Sequence, residues 1–189
     1  MKRNLLTAIW MTLATTLLLG IVYPLTVTAI AQLIFPKRAN GQLIEANGKI
    51  VGSRIIAQAF TAPGYFHPRP SAVAYDPTNS NGSQLGPTNQ KLIDRVQADV
   101  AAAQAENPGT PVPIDLVTTS ASGLDPEISP AAAAFQVPRV AKARGISQDQ
   151  LRLLVAQHME NRQLGFLGEP RVNVLELNLA LDTQVPLSR

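Results

Sequence analysis

Across residues 5–36 the chain carries no Asp, Glu, Lys, Arg or His, in a run dominated by Leu, Ile, Val, Ala and Thr. No other feature of the sequence restricts the fold as strongly. A helix needs roughly 20 apolar residues to cross a bilayer core of about 30 Å. This run spans that distance with residues to spare, so the helix must tilt or project beyond the hydrocarbon. Ala29-Ile30-Ala31 looks like a signal-peptidase site preceded by a basic Lys2-Arg3 segment. The apolar stretch before it outlasts the roughly 7–15 residues of a signal peptide's core, which favours an uncleaved anchor. Pro24 removes one helical hydrogen bond and is expected to kink the helix. Thr12, Thr15, Thr16, Thr26 and Thr28, with Gly20, either form a helix-packing face or merely tolerate lipid, and the sequence leaves both open.

The flanks of this run set an orientation. Lys2 and Arg3 precede it with the amino terminus, and Lys37 and Arg38 follow it. Short basic N-termini usually stay in the cytoplasm, which places the remainder outside. The chain of 189 residues then has room for one appended domain, giving an anchor over residues 1–36 and a soluble domain over 37–189. It contains no cysteine, which fits an exported domain without disulfides but does not require one. Beyond the anchor, acids and bases nearly balance, with no basic block interleaved with aromatics, so nucleic acid is not an expected partner.

Residues 43–46, the turn Asn47-Gly48 and residues 49–56 read as a β-hairpin. Residues 61–90 are rich in Pro, Gly, Ser and Asn, a stretch too long for a casual connection. Phe60, Tyr65, Phe66 and Tyr75 argue that it docks on the domain. Asn81-Gly82-Ser83 is formally a glycosylation triplet, relevant only in a eukaryotic secretory setting. Leu92, Ile93, Val96, Val100 and Ala103 then mark one stripe of an amphipathic helix. Residues 114–118 read as a short strand. Ser129-Pro130 has the cap-and-first-residue signature of a helix that Pro138 interrupts or restarts and Gly145 closes.

Ser147 and Gln150 form a capping box for another helix. Leu151, Leu154, Val155 and His158 share its inner face, which makes His158 a packed residue. "RVNVLELNLALD" reads as a strand with Leu175, Leu177, Leu179 and Leu181 on one side. Hairpin, helices and separated strands together give an α+β domain on a single N-terminal transmembrane helix.

Sites of chemistry are sparse. His67 and His158 are the only histidines, and neither has metal-ligand spacing to acids. Glycine-rich phosphate loops and nucleophile elbows are missing from the sequence. Asp125 and Glu127 form a close acidic pair whose plainer role is an Asx turn and solvation. Arg139, Lys142 and Arg144 read as a solvated helix face near a C-terminus that favours cations. An exported hydrolase using Ser122, His158 and an acid lacks every local signature.

Six blocks in order carry a more specific signal. "YPL" in the anchor is followed by "VGSRIIAQAF", "GYFHPRPSA", "SNGSQLGPTN", "PIDLVTTSASGLDPEISPAAAAFQVPRVAKARG" and "GFLGEPRVNVLELNLALD". In that order and spacing they resemble the C subunit of the bacterial Kdp-type potassium-transporting ATPase, nearly end to end. The resemblance implies a non-catalytic accessory subunit in a bacterial inner membrane. Its partners are a potassium-channel-like A subunit, an ATP-hydrolysing B subunit and a small F subunit. It also implies a chaperone-like role that raises the B subunit's ATP affinity through a transient complex of the two chains with ATP. No tightly bound cofactor is expected. Ser120, Ser122, Gly123 and Asp125 are the candidate ATP contacts, the centre of an alternative reading as a membrane-anchored nucleotide-binding module. The chain departs from the family pattern at Glu127 and across residues 158–161. It lacks the Asp-Lys-Thr-Gly-Thr phosphorylation motif that the ATP-hydrolysing subunit would carry.

Overall fold

The computed structural model describes residues 1–46 and 48–186. The turn residue Asn47 lies outside the described residues. Two compact units emerge, Met1–Leu43 and the chain from Ile44 onward.

The first unit is dominated by α1 (Lys2–Ile34), 33 residues without a charged residue past its first turn. At 1.5 Å per residue it is about 50 Å long, well beyond a bilayer core. Its middle, Leu18–Val22, is a π-helical turn, so the proline signal acts through a bulge. Pro24 has no N–H to give the carbonyl four residues earlier, and its ring crowds that carbonyl. Widening the turn relieves the clash. The hydroxyls of Thr7, Thr15 and Thr26 donate back to the Arg3, Met11 and Val22 carbonyls at 2.8–2.9 Å, so these threonines satisfy themselves within the helix.

The hairpin β1 (Leu43–Ala46) and β2 (Lys49–Ser53), which apart from Leu43 belongs to the second unit, is shorter than expected at its far end. Then come α2 (Gln90–Glu106), α3 (Pro130–Arg144), α4 (Gln148–Gln157) and α5 (Val174–Gln184). A three-stranded antiparallel sheet has the order β3 (Glu127–Ile128), β5 (Arg171–Asn173), β4 (Met159–Glu160). Val172 is the shared centre, opposite Ile128 on one side and Met159 on the other. The α+β class therefore holds. Residues 114–118 are not a strand: Ile114–Leu116 is a single 3-10 turn after Pro113.

The caps follow the sequence closely. Asn89, Ser129 and Ser147 each accept a backbone N–H at the start of α2, α3 and α4, and Ser147 with Gln150 completes the capping box. Gly145 closes α3 at φ 68°, a left-handed conformation that glycine adopts without strain. Pro138 sits inside a continuous α3, and the carbonyl it orphans belongs to Ala134, an exposed residue that water can reach.

The largest correction concerns residues 171–182. Only Arg171–Asn173 is strand, and Val174 onward is α5. Asn173 caps it, its side-chain oxygen accepting the Glu176 N–H at 3.1 Å. From there Leu, Glu and Ala favour helix over strand. Val174, Leu177, Asn178 and Leu181 fall on one helical face and are buried, while Leu179 is only half-buried. They meet Phe66, Val137, Val140, Leu151 and Val172 in the core. Each wholly buried leucine or valine there contributes about 1.5–3 kcal/mol.

Candidate functional site

The four candidate contacts sit in the turn between the 3-10 segment and β3, packed against the proline-rich loop. Ser120 is buried, and its N–H donates to the Pro70 carbonyl at 3.3 Å. The Gly123 N–H returns to the Ser120 carbonyl at 3.3 Å, closing a turn in which Gly123 has φ 69°. A Cβ at Gly123 would lie 2.6 Å from the Val73 side chain and 2.7 Å from the Asn81 carbonyl, so only glycine fits without displacement. Its own carbonyl accepts the Ser71 hydroxyl at 2.7 Å.

Ser122 accepts the Leu124 N–H at 3.1 Å. Asp125 makes the expected Asx turn, accepting the Glu127 N–H at 3.1 Å, and its other oxygen takes Arg69 Nη1 at 3.0 Å. Ser122 and Asp125, with Ile55 and Ser80, line a shallow depression of about 460 Å³. Among its described lining residues are hydroxyls and one carboxylate but no Lys or Arg.

Ser122 and His158 share no hydrogen bond. His158 caps α4, its ring Nδ1 at 3.0 Å from the Leu154 carbonyl. Glu127 faces Arg171 at 2.8 Å. Burial nevertheless pushes its carboxyl above the usual range, helped by the Asp125 charge and opposed by Arg171. Arg54 pairs with Glu160 and with Glu176, and Arg171 also reaches Glu160 at 3.0 Å, so one ion lattice ties the residue that follows β2 to β4, β5 and α5. No group of three or more His, Asp or Glu suited to a metal ion occurs among the described residues.

What the sequence did not reveal is how the 61–75 loop is held. Asn178 brackets Phe66: its Oδ1 accepts the Phe66 N–H and its Nδ2 donates to the Phe66 carbonyl, both at 2.9 Å. Gln136 does the same for His67, accepting at 2.8 Å and donating at 3.1 Å. Each side-chain amide thus imitates a neighbouring β-strand. Arg139 donates to the Pro63 and Tyr65 carbonyls at 2.7 and 2.9 Å, and Arg144 to Gly64 at 2.8 Å. Arg139 and Arg144 are therefore not a solvated face; only Lys142 is exposed as expected. Burial and the nearby Arg139 guanidinium hold the His67 imidazole below its usual value, so it stays neutral at pH 7. A polar side chain inside an apolar helical stripe, as Asn178 is in "LNLAL", was the one available signal.

A single apolar helix joined to a small α+β domain defines a single-pass membrane protein with one appended domain. The chain belongs to the family described as "K+-transporting ATPase, c chain", which it matches over residues 5–183. The Potassium-transporting ATPase KdpC subunit of Koribacter versatilis is 62% identical, covering 99% of this chain and 98% of the relative. Those of Rhodopseudomonas palustris and Rhodospirillum rubrum are 57% and 55% identical, the first covering 96% of this chain and 98% of the relative, the second 100% of both. The protein is accordingly an accessory subunit of a potassium pump.

Proposed function

We propose that the chain is a non-catalytic subunit required to assemble and stabilise an ATP-driven, high-affinity potassium uptake pump in the bacterial inner membrane. Its helix packs among the membrane segments of a channel-like A subunit, an ATP-hydrolysing B subunit and a small F subunit. Its domain lies outside the cell over the ion-conducting subunit. The observation that carries this reading is a family match that runs through anchor and domain alike.

In this reading the subunit raises the B subunit's affinity for ATP through a transient complex of both chains with the nucleotide. An external domain influences a cytoplasmic nucleotide only by binding one pump conformation better than another. The turn contacts of Ser120, Gly123 and Asp125, and a depression without cations, support such indirect action over a direct phosphate grip.

Two measurements test it. Leu17→Lys puts a charge in mid-membrane at a cost of about 2.5–3.5 kcal/mol on insertion scales, and it should abolish recovery of the assembled pump. Intact pump co-purifying with that variant refutes anchor-mediated assembly. Because the chain has no cysteine, Ser80→Cys gives a unique thiol. An impermeant thiol reagent should label it on intact cells, and labelling only after the membrane is opened places the domain inside instead.

A further inference from the structure

Between β4 and β5 the chain makes a loop, residues 163–168, of sequence QLGFLG. It is uncharged, and it exposes Leu164 at 83%, Phe166 at 69% and Leu167 at 48%. We propose that this loop is an apolar plug that seats in a hydrophobic pocket on another subunit of the same pump, with Phe166 as its anchor. The inference rests on the accessory-subunit reading and adds the element that makes the contact.

The loop is built rather than loose. Gln163 and Leu167 exchange both backbone hydrogen bonds at 2.9 Å, and the Gly165 and Phe166 N–H groups turn back to the Arg162 and Gln163 carbonyls at 3.2 Å. Leu164 holds φ 53° and Gly165 φ 83°, so a leucine is kept in a left-handed conformation that branched carbon chains avoid. At the base, Arg162 Nη2 takes both oxygens of Glu169 at 2.8 and 2.6 Å.

These features distinguish a protein pocket from lipid. Fixed geometry reduces the ordering cost of fitting a shaped cavity, whereas entry into fluid hydrocarbon gains nothing from it. Arg162 is neutralised by Glu169, and Arg171 by Glu160 and Glu127, so among the described residues both arginines flanking the loop are paired rather than free for anionic headgroups. A large aromatic flanked by aliphatics is also the composition of an interface anchor. Membership of a multi-subunit pump supplies the partner chains.

The test uses the full-length chain in the assembled pump in native membranes. Phe166→p-benzoylphenylalanine, on illumination, should cross-link to another pump subunit. Adducts with lipid alone, or none while the pump is intact, overturn the proposal. In detergent, Phe166→Ser should leave the complex roughly thirtyfold faster than the native chain. Leu153→Ser, at an exposed leucine on α4, serves as the control and should leave at the native rate. Both variants should melt as the native chain does, because neither side chain is in the core. Equal dissociation of Phe166→Ser and native chain also overturns the plug. A chain that never joins the pump removes the accessory-subunit reading and this inference together. One that joins but ignores position 166 removes only the inference.

Discussion

Arg144→Met should lose about 3–5 kcal/mol of stability, read as a lower urea midpoint with an unchanged slope. The Arg144 side chain is wholly buried at the end of α3. It donates to the Gly64 carbonyl at 2.8 Å, the Val185 carbonyl at 2.7 Å and Asp182 Oδ1 at 2.8 Å. Its guanidinium lies 4.7 Å over the Tyr65 ring. Methionine fills most of the volume but leaves two carbonyls without donors and a carboxylate without its cation. Those losses exceed what its apolar surface returns, because a buried acceptor left unpaired bears its full desolvation cost. Asp182 is 42% exposed and water can re-solvate it, so the carbonyls account for most of the effect. Arg144→Lys should recover less than half of the loss, since one ammonium cannot span three acceptors in a fixed fork. A variant as stable as the native chain removes this role for Arg144.

Asn178→Leu should cost about 3–4 kcal/mol although it adds apolar surface to a core position. The substitution strands the Phe66 N–H and carbonyl together, in a place water does not reach: Asn178 is 1% exposed and Phe66 is fully buried. A second readout separates this from simple overpacking. Amide exchange at Phe66 should lose its protection out of proportion to the global destabilisation, because the pin fails locally before the core does. Asn178→Asp keeps the acceptor and loses the donor, and it should fall between the two. If Phe66 exchange tracks global unfolding in every variant, the amide pin is not what orders the loop.

Both residues show where sequence reading stops. The anchor, the caps at Ser129 and Ser147, the closing Gly145 and the Asx turn at Asp125 were all legible, because each depends on chemistry within a few residues. The docking of the proline-rich loop was legible from its aromatics, but its means were not. Asn178 and Phe66 lie 112 positions apart, and Arg69 and Asp125 lie 56 apart. The strand assigned to residues 174–182 failed for a different reason. Leucines at 175, 177, 179 and 181 alternate, yet Val174, Leu177, Asn178 and Leu181 also satisfy a helical period. The cap at Asn173 and the lack of β-branched residues from Leu175 to Asp182 decide it. In the candidate site, the turn chemistry of Asp125 was readable, whereas the crowding at Gly123 comes from Val73 and Asn81 on a distant loop.

The π turn at Leu18–Val22 has a consequence for how the anchor meets its neighbours. A bulge of one residue advances the helical phase by about 100° relative to an unbroken helix. The stripe carrying Thr12, Thr15 and Thr16 therefore does not continue to Thr26 beyond the bulge. The anchor thus presents its residues at separate azimuths before and after the bulge. A single unbroken rod without Pro24 would instead carry Thr26 on the same face as Thr12, Thr15 and Thr16.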